Sequence, residues 1–150
     1  MGAQPYWYIV KYQPNINQAL QQLRQREFRA GRYNPMMPFL EFPVHTNSPA
    51  PGPGHDSIHE AIIDADADGT RSILDLDHLA TEPEFGAVCP LPNHLTLELF
   101  GTLHPTRAQF EQAEDFWENE FFEERGQGVY VLLYQNGQPN EIVFAGYSCD

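Results

Sequence analysis

The segment VYVLLYQNGQPNEIVFAGY, residues 129 to 147, decides the fold of this chain. It contains two apolar runs, Val129 to Gln135 and Gln138 to Tyr147, separated by Asn136 and Gly137. An Asn-Gly pair between apolar runs is the strongest short-range signal for a hairpin with a type I′ turn, because both residues tolerate a positive φ. The segment therefore predicts two antiparallel strands joined by a two-residue turn.

Three other elements extend this hairpin toward the N-terminus. The aromatic and β-branched run Tyr6 to Gln13 is typical of a strand. It precedes apolar residues at helical spacing that continue to about Ala30, with Gly31 placed to end the helix. Thr106 and Gln109 form a capping box, which predicts that another long helix begins there and extends up to Gly126.

The order of these elements predicts an α+β fold in a single domain, residues 1–150. We expect a small antiparallel or mixed sheet, formed by the N-terminal strand and the C-terminal hairpin, with two main helices packed on one face. The middle section is irregular, and the proline- and glycine-rich run Pro43 to Asp56 predicts a flexible loop. A chain of 150 residues is long enough to bury a core of its own.

Composition excludes several classes of protein. Apolar residues make up 41% of the chain and aromatic residues 13%, which is too apolar for a disordered protein. No apolar run approaches the roughly 20 residues that a bilayer span requires, so we expect no membrane association. Cys89 and Cys149 lack the spacing of a metal or redox motif and are interpreted as free thiols. We expect a cytoplasmic protein, either a monomer or a small homo-oligomer.

Charge is the most unusual property of the sequence. The net charge is −13, and residues 51–150 hold nineteen acidic and three basic side chains. Residues 1–50 hold two acidic and five basic side chains. Such a negative surface repels phosphate, so nucleic acid and anionic lipid are poor partners. A basic protein partner is favoured instead, because long-range attraction speeds its association.

One acidic stretch has the spacing of a metal loop. Asp64-Ala-Asp66-Ala-Asp68-Gly69-Thr70-Arg71-Ser72-Ile73-Leu74-Asp75 follows the pattern D-x-D-x-D-G and resembles an EF-hand loop over these twelve residues. The resemblance implies calcium as a ligand, held by Asp64, Asp66, Asp68, Thr70 and Asp75. Asp75 stands where such loops place a longer glutamate. The alternative is an acidic turn between a helix and a strand.

A cluster of arginines suggests a different site. Four of the eight basic residues lie within positions 24–32. Arg29, Arg32 and Tyr33 could present planar donors to a small anionic ligand, which would make the chain a ligand-binding protein or an enzyme. The alternative is structural, since arginines near the C-terminal end of a helix complement its dipole and pair with carboxylates.

The predicted second long helix carries a strongly acidic surface. Its glutamates surround aromatic residues that could anchor a basic partner, and the candidate contact residues are Glu114, Trp117, Glu118 and Phe122. The alternative is an ordinary solvated helix face.

The sequence contains none of the local signatures of catalysis that we considered, which were a nucleophile elbow, a phosphate-binding loop, a zinc-protease motif and a dinucleotide fingerprint. We therefore expect a non-enzymatic acidic domain that binds a basic protein, as an inhibitor or an immunity-type protein does. Calcium binding and the binding of an anionic ligand are the two alternatives.

Overall fold

A mixed five-stranded sheet organises the computed structural model, which describes residues 4–36, 43–118 and 124–148, without the side chain of Trp117. The strands are β1 (Pro5–Lys11), β2 (His78–Leu79), β3 (Ala87–Pro90), β4 (Gly128–Gln135) and β5 (Gln138–Tyr147). Their order is β1-β5-β4-β3-β2. Strand β5 is antiparallel to both of its neighbours, whereas β4, β3 and β2 pair in parallel. The α+β class and the mixed sheet are confirmed.

Four α-helices surround the sheet, at α1 (Ile16–Ala30), α2 (Ile58–Ala65), α3 (Asn93–Phe100) and α4 (Arg107–Gln112). Helix α1 ends as predicted, because Gly31 adopts the left-handed conformation with φ of 74°, and it begins where the side chain of Asn15 accepts a hydrogen bond from the Gln18 amide. None of the helices within the described ranges is both long and apolar enough to span a bilayer.

The C-terminal hairpin forms as the Asn-Gly pair predicts. Asn136 and Gly137 both have positive φ, at 53° and 76°, as a type I′ turn requires. Gln135 pairs with Gln138 directly across the turn. The apolar residues of β4 and β5 alternate between the two faces of the sheet, so that both faces of the hairpin are buried.

The helices cover both faces of the sheet, whereas the sequence predicted two main helices on one face. Helices α1 and α2 pack on the face that carries Phe144, and α3 and α4 pack on the face that carries Val143. The reason is visible in β5, where Ile142 to Ala145 are all buried. A strand that is apolar on both sides requires a layer of structure on each side.

The second long helix, predicted over residues 106–126, is much shorter. Helix α4 ends at Gln112, Ala113 has a non-helical ψ of 80°, and Phe116–Glu118 forms a 3₁₀ turn. Phe110 and Phe116 both enter the core beside α3, with their rings 5.2 Å apart. Residues six positions apart do not share a helix face, so the break allows both rings to be buried. Repulsion among the neighbouring carboxylates also opposes a continuous helix.

The proline- and glycine-rich loop, residues 43–56, is irregular apart from a short bridge. Val44 pairs with Tyr6 at the edge of the sheet. The loop is also anchored to the C-terminal end of α1, because the Gly52 amide donates to the Ala30 carbonyl at 2.9 Å and Arg32 Nε donates to the Ser48 carbonyl at 2.9 Å. These bonds hold both halves of the loop against the helix.

We predict that Gly137→Ala destabilises the protein by about 1 kcal/mol, since an alanine pays a steric penalty of this size in the left-handed region. A Cβ at Gly137 would have no atom within 4 Å, so the cost would come from the backbone conformation alone. Urea denaturation measures the change. Asn136→Gly is the control and should change the free energy of unfolding less, and equal losses in both variants would contradict the turn assignment.

Candidate functional site

A pocket of about 440 Å³ opens beside the short edge strand β2. Its apolar lining comes from Ile62, Leu74 and Phe85. Phe85 is 69% exposed, which is unusual for so large an apolar side chain. The polar lining consists of three carboxylates and one imidazole, from Asp66, Asp75, Asp77 and His78. The pocket therefore combines an apolar interior with negative charge.

Two glycines, Gly86 and Gly126, allow two segments of the chain to approach each other beside the pocket. The Gly86 amide donates to the Gly126 carbonyl at 2.8 Å, and the Asp77 amide donates to the Gly86 carbonyl at 3.0 Å. A Cβ at Gly126 would lie 2.3 Å from the ring of Phe85, so only glycine leaves room for that ring in its present position. These backbone bonds place Phe85 and Gly86 beside Asp77 at the start of β2.

Helix α1 donates hydrogen bonds to the backbone of residues that line the pocket. Arg24 is 9% exposed and its Nη2 donates to the Leu74 carbonyl at 3.0 Å, while Gln21 Nε2 donates to the Asp77 carbonyl at 2.9 Å. Burial lowers the pKa of Arg24, and the nearby carboxylates of Asp77 and Asp75 oppose that change. The positive charge of Arg24 therefore offsets part of the negative charge of Asp75 and Asp77.

The carboxylate of Asp75 closes a tight turn. It accepts hydrogen bonds from the Thr70 amide, at 3.0 and 3.1 Å, and from Thr70 Oγ1 at 2.7 Å. Burial raises the pKa of Asp75, and the hydrogen bonds from Thr70 oppose that rise. Thr70 is fully buried, so its amide relies on this carboxylate, whereas its hydroxyl also lies 2.9 Å from Ser72 Oγ.

His78 lies between two carboxylates on the rim of the pocket. Its Nδ1 contacts Asp77 Oδ1, and its Nε2 lies 3.1 Å from Glu84 Oε1. Only the protonated imidazole has a donor on both nitrogens, so this geometry describes an imidazolium. Hydrogen bonds to Asp77 and Glu84 raise the pKa of His78. The ion pairs of the His78 imidazolium with Asp77 and Glu84 stabilise the fold while His78 is protonated. This contribution is lost as the pH rises through the raised pKa of His78.

Most of the residues that line the pocket belong to one acidic stretch of the chain. Residues 56–84, which we name the acidic segment, contain nine acidic side chains and one basic side chain, Arg71. Asp66 and Asp77 line the pocket and are exposed, and the exposed Glu84 contacts His78 beside it. The sequence pattern singled out Asp66 and Asp75 but not Asp77, Glu84, His78 or Phe85. No local pattern marks His78 and Phe85, since their role depends on the positions of Glu84 and Gly126 in the fold.

The structure separates the residues that the EF-hand resemblance grouped together. Asp64 lies on α2, where its Oδ2 is 2.8 Å from His55 Nε2. Asp66 and Asp68 belong to an exposed 3₁₀ turn, and Asp75 is bonded to Thr70. Among the described residues, no group of three His, Cys, Asp or Glu side chains is arranged to hold a metal ion. Calcium binding therefore stays a prediction from sequence.

The predicted anionic-ligand residues have different surroundings. Arg32 Nη1 pairs with the fully buried carboxylate of Glu27 at 2.8 Å. Tyr33 is fully buried, and its hydroxyl lies 2.9 Å from His55 Nδ1. Arg29 is exposed on α1. The structure thus gives Arg32 and Tyr33 internal partners and does not join the three side chains in one arrangement.

The predicted partner surface is only partly described. Glu114 and Glu118 are exposed near the end of α4. The side chain of Trp117 and all of Phe122 lie outside the described part of the structure. This surface stays a prediction.

No family model, no curated protein and no solved structure matches this chain. Its function therefore has to be argued from the site itself.

We predict that Asp75→Ala lowers the free energy of unfolding by about 1–3 kcal/mol, the usual cost of leaving buried donors without a partner. The buried donor that loses this carboxylate is the Thr70 amide, since the Thr70 hydroxyl keeps Ser72 Oγ at 2.9 Å. Thermal or urea denaturation measures the loss. The matched control is Asp68→Ala, an exposed aspartate in the same acidic stretch, which should change stability by less than about 0.5 kcal/mol.

Calcium provides a second test of the same turn. A metal that binds the native state must raise the melting temperature. In this geometry, however, the carboxylate of Asp75 already accepts hydrogen bonds from Thr70. We expect equal melting temperatures in millimolar calcium and in EDTA. A rise with calcium that disappears in Asp66→Asn would restore the EF-hand interpretation.

Proposed function

We propose that this chain is a non-enzymatic binding protein that engages a basic protein partner through the acidic segment. The observation that carries the proposal is the pocket at β2, where an exposed aromatic ring and an apolar interior are surrounded by carboxylates. Binding hot spots are typically apolar pockets of this kind, and charges around them guide the partner.

Charge supports this function over ligand capture by the arginines. The acidic segment has nine acidic side chains and one basic side chain, so its field attracts a basic surface from a distance. The arginines near the end of α1 are largely used inside the fold, because Arg24 bonds to Leu74 and Arg32 bonds to Glu27. Arg24 and Arg32 therefore stabilise the fold, whereas Arg29 is exposed on α1.

The arrangement of His78 supports binding rather than catalysis. A general base needs a free lone pair within reach of its substrate, but both ring nitrogens of His78 face carboxylates of the chain itself. Cys89 is 1% exposed and burial raises its pKa to about 11, which makes it a poor nucleophile. The pocket offers contact area and charge.

Two variants with the same change in net charge test the proposal. The first, Asp66→Asn/Asp77→Asn/Glu84→Gln, neutralises the rim of the pocket. The second, Glu98→Gln/Glu114→Gln/Glu118→Gln, neutralises exposed glutamates outside the acidic segment. Proteins captured by the native chain from its source cells would be identified by mass spectrometry, and a basic one would be purified for affinity measurements at several salt concentrations.

We expect the first variant to weaken binding about tenfold and the second to weaken it less than threefold, since each exposed charge contributes a fraction of a kcal/mol. The affinity of the native chain should fall as salt increases. An affinity that ignores both salt and the rim charges would overturn the proposal. A loss confined to the second variant would keep the basic partner but move its site to the surface around Glu114 and Glu118.

A further inference from the structure

We propose that the pocket at β2 receives one lysine or arginine side chain of the partner, whose cationic group replaces the His78 imidazolium on Asp77 and Glu84. This inference rests on the proposed function and identifies the chemical group that the pocket selects. It also assigns His78 a role, as an internal cation that competes with the partner.

The shape and lining of the pocket fit a long cationic side chain. A lysine or arginine has an apolar stem of three or four methylenes that buries well against apolar surface while the charged end stays at a polar rim. Ile62, Leu74 and Phe85 supply the apolar surface. The exposed ring of Phe85 can also stack on the stem or on a guanidinium group.

The position of His78 shows where a cation is stabilised. Two carboxylates of one short segment converge on the imidazolium, from Asp77, which precedes β2, and from Glu84, which precedes β3. Their side chains are 65% and 59% exposed, and that of His78 is 48% exposed, so all three can be reached from solvent. A guanidinium or ammonium group can make the same contacts with carboxylates.

This exchange predicts a dependence on pH. Below its raised pKa, His78 is charged and occupies the two carboxylates. Above that pKa it is neutral, whereas lysine and arginine keep their charge. The partner's cation should therefore bind more tightly as the pH rises through the pKa of His78.

Other charged groups around His78 act in the same direction or stay constant over this range. Asp66 and Asp75 add negative charge at the pocket, and Arg24 of α1 adds a positive charge beneath it. Arg24 stays protonated at any pH near neutrality. The titratable and charged groups that face His78 or line its pocket are Asp77, Glu84, Asp75, Asp66 and Arg24.

The test uses three small probes at millimolar concentration with the full chain. N-acetyl-lysine methylamide and N-acetyl-arginine methylamide carry the cation, and N-acetyl-norleucine methylamide has an aliphatic side chain without it. Two-dimensional amide NMR follows Gly69, Gly86 and Gly126, which line the pocket. We expect saturable shifts of these amides with the two cationic probes and much weaker shifts with norleucine.

Variants and pH complete the test. Asp77→Asn should weaken binding of the cationic probes about two- to fivefold, whereas Glu98→Gln, which changes an exposed glutamate on α3, should leave their binding unchanged. Affinity of the native chain should rise about two- to fivefold between pH 6 and pH 8.5, as expected for gaining one exposed ion pair. In His78→Asn this rise should disappear.

Equal binding of the norleucine probe, or an affinity that falls with rising pH, would overturn the inference. So would the absence of shifts at the three glycines. If the native chain still bound a basic protein in a salt-dependent manner after such a result, the proposed function would stand and only the assignment of the pocket would fail. The difference between the lysine and arginine probes would identify which side chain is preferred.

Discussion

Pairing of β5 with strands on both sides is the constraint on which the rest of the structure depends. β5 forms seven pairs with β1 and eight with β4, while its residues Ile142 to Ala145 are buried on both faces. A strand of this kind is stable only when helices cover each face and strands satisfy its backbone on both edges. The long helix α1 and the short helices α3 and α4 occupy opposite sides for this reason.

The acidic segment is attached to this frame through α1. Arg24 and Gln21 reach from the helix to backbone carbonyls of Leu74 and Asp77, and Asp75 closes the turn at Thr70. Carboxylates that lie close together in sequence repel one another, which destabilises the compact arrangement of the segment. The buried guanidinium offsets part of this repulsion and fixes the segment in place, which leaves Asp77 and Glu84 exposed on the outer side.

The same division of charge explains how the chain can act as a binding protein. Cationic side chains at the end of α1 are used mainly for internal contacts, as Arg32 is with Glu27, so they do not neutralise the exposed carboxylates around β2. The result is a local negative field beside an apolar pocket. Attraction from the field and burial of apolar area in the pocket are separate contributions, and a basic side chain with an apolar stem can use both.

Sequence reasoning was most successful where a local rule decides the structure. The hairpin at Asn136 and Gly137 and the caps of α1 follow from the conformations that these residues tolerate. The acidic character of residues 51–150 follows from composition. The predicted helix over 106–126 was wrong at residues 113–118, because the burial of Phe110 and Phe116 in one cluster outweighs the local periodicity.

Local rules therefore determined the class of fold, the hairpin, the first helix and the charge of this protein. Only the tertiary structure decided that the helices cover both faces, that Asp75 is used by Thr70, and that Phe85, His78 and Glu84 meet at one pocket. The physical reason is the sequence separation of the residues that interact. Caps and turns depend on neighbours a few residues away. The pocket depends on contacts between β2, α1 and Gly126, which the sheet brings together from distant parts of the chain.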